Sequence, residues 1–382
     1  MQTGGISLGL YCHVPFCATA CEFCAFYQEK PRRGDIERYL AGMMTELDLL
    51  RPDRPVNTVF WGGGTPGLLP AKDLAALGEK VIEVCQDKPK EWTVEMAPST
   101  VKPDKLKVLK ELGVTRISMG VQSFDPKLLE KLGRMHSPKQ IFQAYERIAE
   151  TGFEKQNLDL IIAIPGQTEA ELFKDLKQAV ELDPGHISTY CLTFEEDTAL
   201  WVKLMEGKLR RDIDNEADLY EASWQYLSSE GYRHYEISNF ARPGHECVHN
   251  LNTWRMHEWI GAGPSASSQW KGYRFSNAAN LDKWLLNLKT PINEREEVSR
   301  LSPQTLLEDA LIFGLRMGEG VDLQKLENRF PQVRLASVCD YFSTLVSEGL
   351  MQSNGHRCYA LTLRGKLLAD RIGEELLGML VS

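Results

Sequence analysis

Between Leu8 and Thr193, short runs of apolar and β-branched residues alternate with longer amphipathic stretches. The runs at 9–14, 56–61, 92–96, 116–121, 158–164 and 186–192 predict six strands. Stretches 36–50, 74–85, 103–112, 141–151 and 169–182 repeat apolar residues at the helical period, and several begin with Pro, Ser or Asp near the first turn. Strands separated by helices imply a parallel sheet with right-handed crossovers. Runs such as LDLIIAI at 158–164 are almost continuously apolar, as in strands covered on both faces. The fold class is therefore α/β, and an open doubly wound sheet and a full or partial (β/α) barrel both satisfy the pattern.

The unusual residues gather where such sheets bind ligands, just past the carboxyl ends of the strands. Strand one runs into a group of cysteines, strand two into Gly62-Gly63-Gly64-Thr65-Pro66, strand three into Ala97-Pro98, strand four into Gln122-Ser123 and strand five into Pro165-Gly166. From 197 to 294 the pattern is less regular, richer in Trp and Tyr, and holds YEISNFARPGHECVHNLNTW at 235–254. Beyond 301, helical stretches at 306–317, 323–330 and 337–348, a two-strand stretch at 350–363 and a last helix at 364–377 resemble a small winged-helix-like module. This organisation divides the chain into 1–195, 196–294 and 295–382.

Charge and composition narrow the function classes. With 53 Asp+Glu against 44 Lys+Arg the net charge is -9, a field that repels polyanions, so nucleic acid is not an expected partner. No apolar run reaches the roughly 18 residues needed to span a bilayer, and the first residues lack a signal-peptide pattern, so a cytoplasmic protein is expected. The nine cysteines are odd in number and four fall within the first 24 residues, which is not a disulfide framework.

Cys17, Cys21 and Cys24 form C-x3-C-x2-C directly after the first strand, between Pro15-Phe16 and Phe26-Tyr27. A structural zinc site would ordinarily add a fourth ligand, commonly from a second paired unit, and none follows. Three thiolates on a 4Fe-4S cluster leave one iron open to a ligand that is not protein. Buried structural cysteines or a zinc knot remain the plainer alternatives.

This motif, with Tyr11-Cys12-His13-Val14-Pro15-Phe16 before it, resembles the radical S-adenosylmethionine proteins, in the branch containing oxygen-independent coproporphyrinogen III dehydrogenase (HemN) and the haem chaperone HemW. The resemblance runs from about Gly9 to the C-terminus. It implies a partial (β/α)6 TIM-type barrel with a HemN-type α/β C-terminal domain, a 4Fe-4S cluster on Cys17, Cys21 and Cys24, and S-adenosylmethionine at the open iron. An electron from the reduced cluster would then release a 5'-deoxyadenosyl radical. By the same resemblance the turn of Gly62, Gly63 and Gly64 meets the methionyl end of the cofactor, and Thr65 after it is a further cofactor-binding residue. Glu95, Gln122, Arg134 and Asp159 contact the rest of it, and Tyr11 and Phe23 line the site. Without the resemblance, Asp159 reads as a buried carboxylate in need of a partner and Arg134 as a surface charge.

Within the branch, the dehydrogenases carry a fourth cysteine two positions after the third, where this chain has Phe26, and a longer segment before the motif, where it has 16 residues. Both features resemble HemW. His249-Asn250-Leu251-Asn252-Thr253-Trp254 resembles the H-N-x-x-Y-W signature associated with haem, with His249 as the implied iron ligand, although Thr253 stands for the tyrosine. Ser267 and Ala97 also replace a family His and Asn. Taken alone, His249 reads as a hydrogen-bonded core or surface histidine. His245, Cys247 and His257 flank the segment as substitute ligands or, more plainly, as polar loop residues.

The expectation is a HemW-like iron-sulfur protein that binds haem and delivers it to an acceptor protein, with a separate electron donor. The alternative is a radical enzyme that decarboxylates coproporphyrinogen III oxidatively, or a HemN-like methyltransferase.

Overall fold

In a computed structural model of the protein, the structure describes residues 7–196, 198–290 and 298–380. The expected start of the irregular region at Asp197 and the boundary at 294/295 lie outside the described residues.

All six expected strands form: β1 (Gly9–Val14), β2 (Thr58–Gly63), β3 (Glu91–Met96), β4 (Arg116–Gln122), β5 (Lys155–Ile162) and β6 (His186–Cys191). They pair in sequence order and in parallel. The crossovers are α1 (Asp35–Leu50), α2 (Ala71–Cys85), α3 (Pro103–Leu112), α4 (Pro126–Lys131) with α5 (Pro138–Thr151), and α6 (Glu169–Glu181). Ser137 and Thr168 start α5 and α6 by capping boxes with Gln140 and Glu171, which satisfy backbone donors that the helix cannot. The short α4 escaped periodicity, since six residues hold under two turns.

One face of each strand carries apolar side chains such as Leu10, Val59, Trp61, Trp92, Val94, Ile117, Met119, Leu158 and Ile187. They are nearly solvent-free and pack with the helices into the main core. The alternate positions are polar: Glu91, Thr93 and Glu95 on β3, Arg116 and Ser118 on β4, Asn157 and Asp159 on β5, His186 and Ser188 on β6. The sheet therefore encloses a polar lumen, and its hydrophobic core lies outside the strands.

The middle of the chain completes the sheet. After α7 (Ala199–Met205) and α8 (Ile213–Ser229) come β7 (Arg233–Glu236), β8 (Asn239–Ala241), α9 (Val248–Trp254), β9 (Trp259–Ala262), β10 (Ser267–Trp270), β11 (Tyr273–Ser276), α10 (Leu281–Asn287) and β12 (Ser299–Arg300). The strand order is β12-β11-β10-β9-β1-β2-β3-β4-β5-β6-β8-β7, and among the described residues the two edges do not pair, so the barrel is partial. A seventh parallel strand, β9, lies on the outer edge of β1 with Gly9 opposite Trp259. Four residues with a glycine among them gave no run long enough to predict it.

The C-terminal module comprises α11 (Pro303–Arg316), β13 (Val321–Asp322), α12 (Leu323–Arg329), α13 (Ala336–Ser347), β14 (Met351–Ser353), β15 (Cys358–Leu361), α14 (Leu363–Leu367) and α15 (Ala369–Leu380). Its three short strands pair antiparallel in the order β13-β15-β14, over a separate core that includes Leu311, Phe342 and Leu376. The single last helix expected at 364–377 is instead two, broken at Leu368. Among the described residues, no helix is long and apolar enough to cross a membrane.

Candidate functional site

The cysteine loop is held from three sides. Glu29 returns alongside Phe16, the Cys17 amide donating to its carbonyl at 3.1 Å and its own amide to Pro15 at 2.8 Å. The Glu22 amide donates to the Leu132 carbonyl beyond β4, and the Glu22 side chain pairs with Lys203 of α7. The glycine turn after β2 is stitched beneath the loop: Gly64 donates to the Val14 carbonyl and Thr65 to that of Phe16, both at 2.8 Å. Side chains at the glycines would break this seam. A Cβ on Gly63, whose φ is 101°, would collide with the His13 ring, and one on Gly64 would lie 2.7 Å from the Val14 carbonyl oxygen. The first duty of these glycines is thus the close approach of two loops of the protein itself.

Sequence reasoning passed over His13. Its ring receives the Tyr11 hydroxyl at 3.1 Å, reaches the Tyr27 carbonyl at 2.9 Å and stacks on the Tyr27 ring, so it pins the far end of the cysteine loop to β1.

The three thiols suit a cationic iron centre. Burial pushes the Cys17 thiol up, with Cys21 adding to the rise, and pushes Cys24 up to about 11, with Cys21 and Cys17 adding to it. The Thr65 hydroxyl 3.6 Å from the Cys17 thiol works the other way. Thiolates so placed need a counter-charge, which iron supplies. Among the described residues no three His, Cys, Asp or Glu side chains crowd round a single metal ion; a cubane takes one thiolate per iron and asks for no such crowding.

Beside this loop the lumen presents the expected polar set. Glu95 accepts the Gly63 amide at 3.3 Å, and its carboxyl is pushed up to about 8 by burial and by Asp159. Asp159 accepts Ser118 at 3.0 Å and Asn157 at 2.8 Å; burial raises its pKa and these donors oppose the rise. Over Gly120 lie the Gln122 amide and the Arg134 guanidinium. Arg134 also stands 5.7 Å from the centre of the Phe23 ring, and among the described residues its Nε has no hydrogen-bond partner. Tyr11 and Tyr190, on strands at opposite ends of the six, both feel the Glu95 charge, as expected across a concave sheet. The structure thus brings Tyr11, Cys17, Cys21, Phe23, Cys24, Gly63, Gly64, Thr65, Glu95, Gln122, Arg134 and Asp159 to one end of the barrel. Tyr190, Ser118 and Asn157 join them, and strict alternation on β4–β6 was the signal that could have found them. An orphaned guanidinium nitrogen, a protonated carboxyl and three repelling thiols form a donor set into which a 4Fe-4S cluster and a cationic, carboxylate-bearing cofactor such as S-adenosylmethionine fit.

His249 is not part of this set. It enters at the opposite, amino-terminal end of the strands, where its Nδ1 lies 3.0 Å from the Thr58 hydroxyl and its ring packs on Phe60 and beside Gly9. It is 6% exposed, and burial pulls its pKa down to about 4, leaving it neutral. The segment before it closes that end of the lumen. Glu91 accepts the His249 amide at 3.0 Å and meets Arg116 and Lys155, each at 3.3 Å. Arg116 in turn donates to the His245 and Glu246 carbonyls, both at 2.9 Å. Cys247 is buried in this plug, its thiol 3.5 Å from Glu91.

Comparison with known proteins agrees with this architecture. Residues 11–179 match the Radical SAM superfamily and 301–368 the HemN C-terminal domain. The heme chaperone HemW of Lactococcus lactis is 33% identical over 96% of this chain and 96% of its own. That of Mycobacterium tuberculosis is 35% identical over 98% and 96%, and that of Escherichia coli 37% identical over 68% and 69%. In fold, the chain is similar to the radical SAM enzyme coproporphyrinogen III oxidase (HemN) from Escherichia coli, with a TM-score of 0.84 at 24% identity, covering 97% of this chain and 90% of that one. The chain belongs to the HemW family of radical S-adenosylmethionine proteins.

Proposed function

We propose that this protein binds haem and passes it to a haem-accepting protein, using a 4Fe-4S cluster and S-adenosylmethionine at the carboxyl ends of its strands. The observation that carries this reading is the separation of two sites. The cysteine loop and the His249 segment lie at opposite ends of strands of six residues, about 20 Å apart at the usual rise. Radical abstraction needs its target beside the cofactor. A haem held by the α9 segment is out of that reach, which favours cargo over substrate. The Phe26 that stands for a fourth cysteine supports the same reading.

In this arrangement Cys17, Cys21 and Cys24 would hold the cluster, with Thr65 lowering the cost of the Cys17 thiolate. Glu95 and Asp159 accept hydrogen bonds from hydroxyl or ammonium groups of the cofactor, Arg134 and Gln122 face its anionic and polar parts, and Tyr11 and Phe23 shield it. Bound there, the cluster and S-adenosylmethionine supply one-electron chemistry that the side chains cannot. The division of labour follows the chain: the described residues of 1–195 build the cofactor end, those of 196–294 plug the lumen and carry α9, and those of 295–382 form a wall beside it. A separate electron donor in the cytoplasm reduces the cluster. The resemblance nominates His249 as iron ligand. Its Nδ1 contact with Thr58 would fix the tautomer, but ligation would require Phe60 and Gly9 to yield.

The test is anaerobic. Cluster-reconstituted protein is given S-adenosylmethionine and dithionite, with and without coproporphyrinogen III, and 5'-deoxyadenosine and porphyrin products are measured; haemin is titrated separately. Haemin binding without consumption of coproporphyrinogen supports the chaperone. Consumption of coproporphyrinogen without haemin binding would return the protein to the alternative enzyme class.

A further inference from the structure

A cleft of about 370 Å³ opens between the end of α9 and the C-terminal module, at a size typical of small-molecule sites. Trp254, Met317, Val321 and Leu326 make it apolar. Most of its charges are already neutralised. Arg255 and Glu319 form a two-point pair at 2.9 and 3.1 Å, and Lys325 meets Asp322 at 3.3 Å.

Two groups are left over. The Arg329 guanidinium donates only to the backbone carbonyls of Arg255, at 3.4 Å, and Met256, at 3.2 Å, with no carboxylate partner among the described residues. Among the described residues the His257 ring has no hydrogen-bond partner, and its Nδ1 is buried. Burial, aided by Arg329 and Arg255, keeps that imidazole neutral and so able to ligate. An uncommitted cation and an uncommitted imidazole in one apolar cleft each cost stability in the empty protein. They match a flat apolar ligand that carries both a carboxylate and a metal.

We propose that this cleft is the haem seat, with His257 as the protein ligand to iron, Arg329 as partner of a propionate and Trp254 against the porphyrin face. The assignment rests on the haem-binding reading above and deepens it. The α9 helix then has two ends with two tasks: His249 anchors its first turn under the barrel, and Trp254 and the residues after it face the ligand.

The full-length protein is titrated with haemin, followed by the Soret band, and with metal-free protoporphyrin IX, followed by quenching of tryptophan fluorescence. His257→Ala is expected to change the Soret spectrum and weaken haemin about tenfold or more while leaving the metal-free porphyrin unchanged. Arg329→Gln is expected to weaken both severalfold. Lys325→Glu, at an exposed side chain on the rim, is expected to weaken both by a smaller factor; His257→Gln replaces the alanine variant if that fails to fold. Wild-type spectra and affinities in the His257 and Arg329 variants, with the loss falling on His249→Ala, would overturn the cleft and leave haem binding standing. A wild-type protein that takes up no haemin overturns both.

Discussion

The Thr65 hydroxyl lies 3.6 Å from the Cys17 thiol, joining the turn after β2 to the cysteine loop after β1. Replacing Thr65 with Val keeps the shape and removes the donor. One hydrogen bond at about 1 kcal/mol predicts roughly fivefold faster loss of iron to a chelator, with the cluster still assembled. Cys17→Ala, Cys21→Ala and Cys24→Ala are each expected to lose most of the bound iron and sulfide on reconstitution. A full cluster in any of the three would refute the ligand assignment.

Glu95 makes stability depend on pH in an unusual direction. Its carboxyl is raised from 4.5 to about 8 by burial first and Asp159 second. The stability it contributes is complete below pH 4.5 and is lost as the pH rises towards 8, because the folded protein must then ionise a carboxyl it holds as an acid. Cluster-free Glu95→Gln should therefore melt several degrees above wild type at pH 8 and near it at pH 4.5. Equal differences at the two pH values would place Glu95 in a solvated setting.

The closed end of the barrel behaves oppositely. His249 is lowered from 6.5 to about 4 by burial, and His234, in contact with Lys366, to about 3. Each contributes stability that is present above pH 6.5 and lost as the pH falls through its folded pKa, worth about 3 kcal/mol for His249. Wild type should lose melting temperature between pH 6.5 and 4, and His249→Phe should lose less. An identical acid profile in that variant would count against the burial argument.

Glu91 gathers Arg116, Lys155, the His249 amide and the Cys247 thiol around one buried carboxylate. Burial works to raise its pKa, but Arg116, the His249 amide and Lys155 prevail and hold it low. Glu91→Gln leaves Arg116 as an uncompensated buried charge, and loses about 3–5 kcal/mol by chemical denaturation. A loss under 1 kcal/mol would show that water already reaches the plug.

The architecture was legible wherever local pattern determined local structure. All five main crossover helices and six strands came from periodicity, because each apolar face meets its neighbour in sequence. What escaped was decided at long range: β9 has four residues and owes its existence to β1, some 250 positions earlier, and α4 is too short for a periodic signal. The site divides likewise. The cysteines are readable because three ligands to one cluster must be close along a loop. The EWTVEM alternation of Glu91, Thr93 and Glu95 was visible too, yet the apolar runs at 158–164 drew attention to the core instead of the lumen. That His249 and Cys17 lie at opposite ends follows only from where α9 packs, and no spacing encodes it.

The parallel pairing of β9 with β1 sets an order of events during synthesis. Strand β1, which leads into all three cysteines, emerges from the ribosome first and finds β2 about fifty residues later, but its other edge has no neighbour until Ala262 is made. Through most of translation that bare edge can pair with other chains. Any truncation before Trp259 should aggregate through β1, whatever the state of its cysteines.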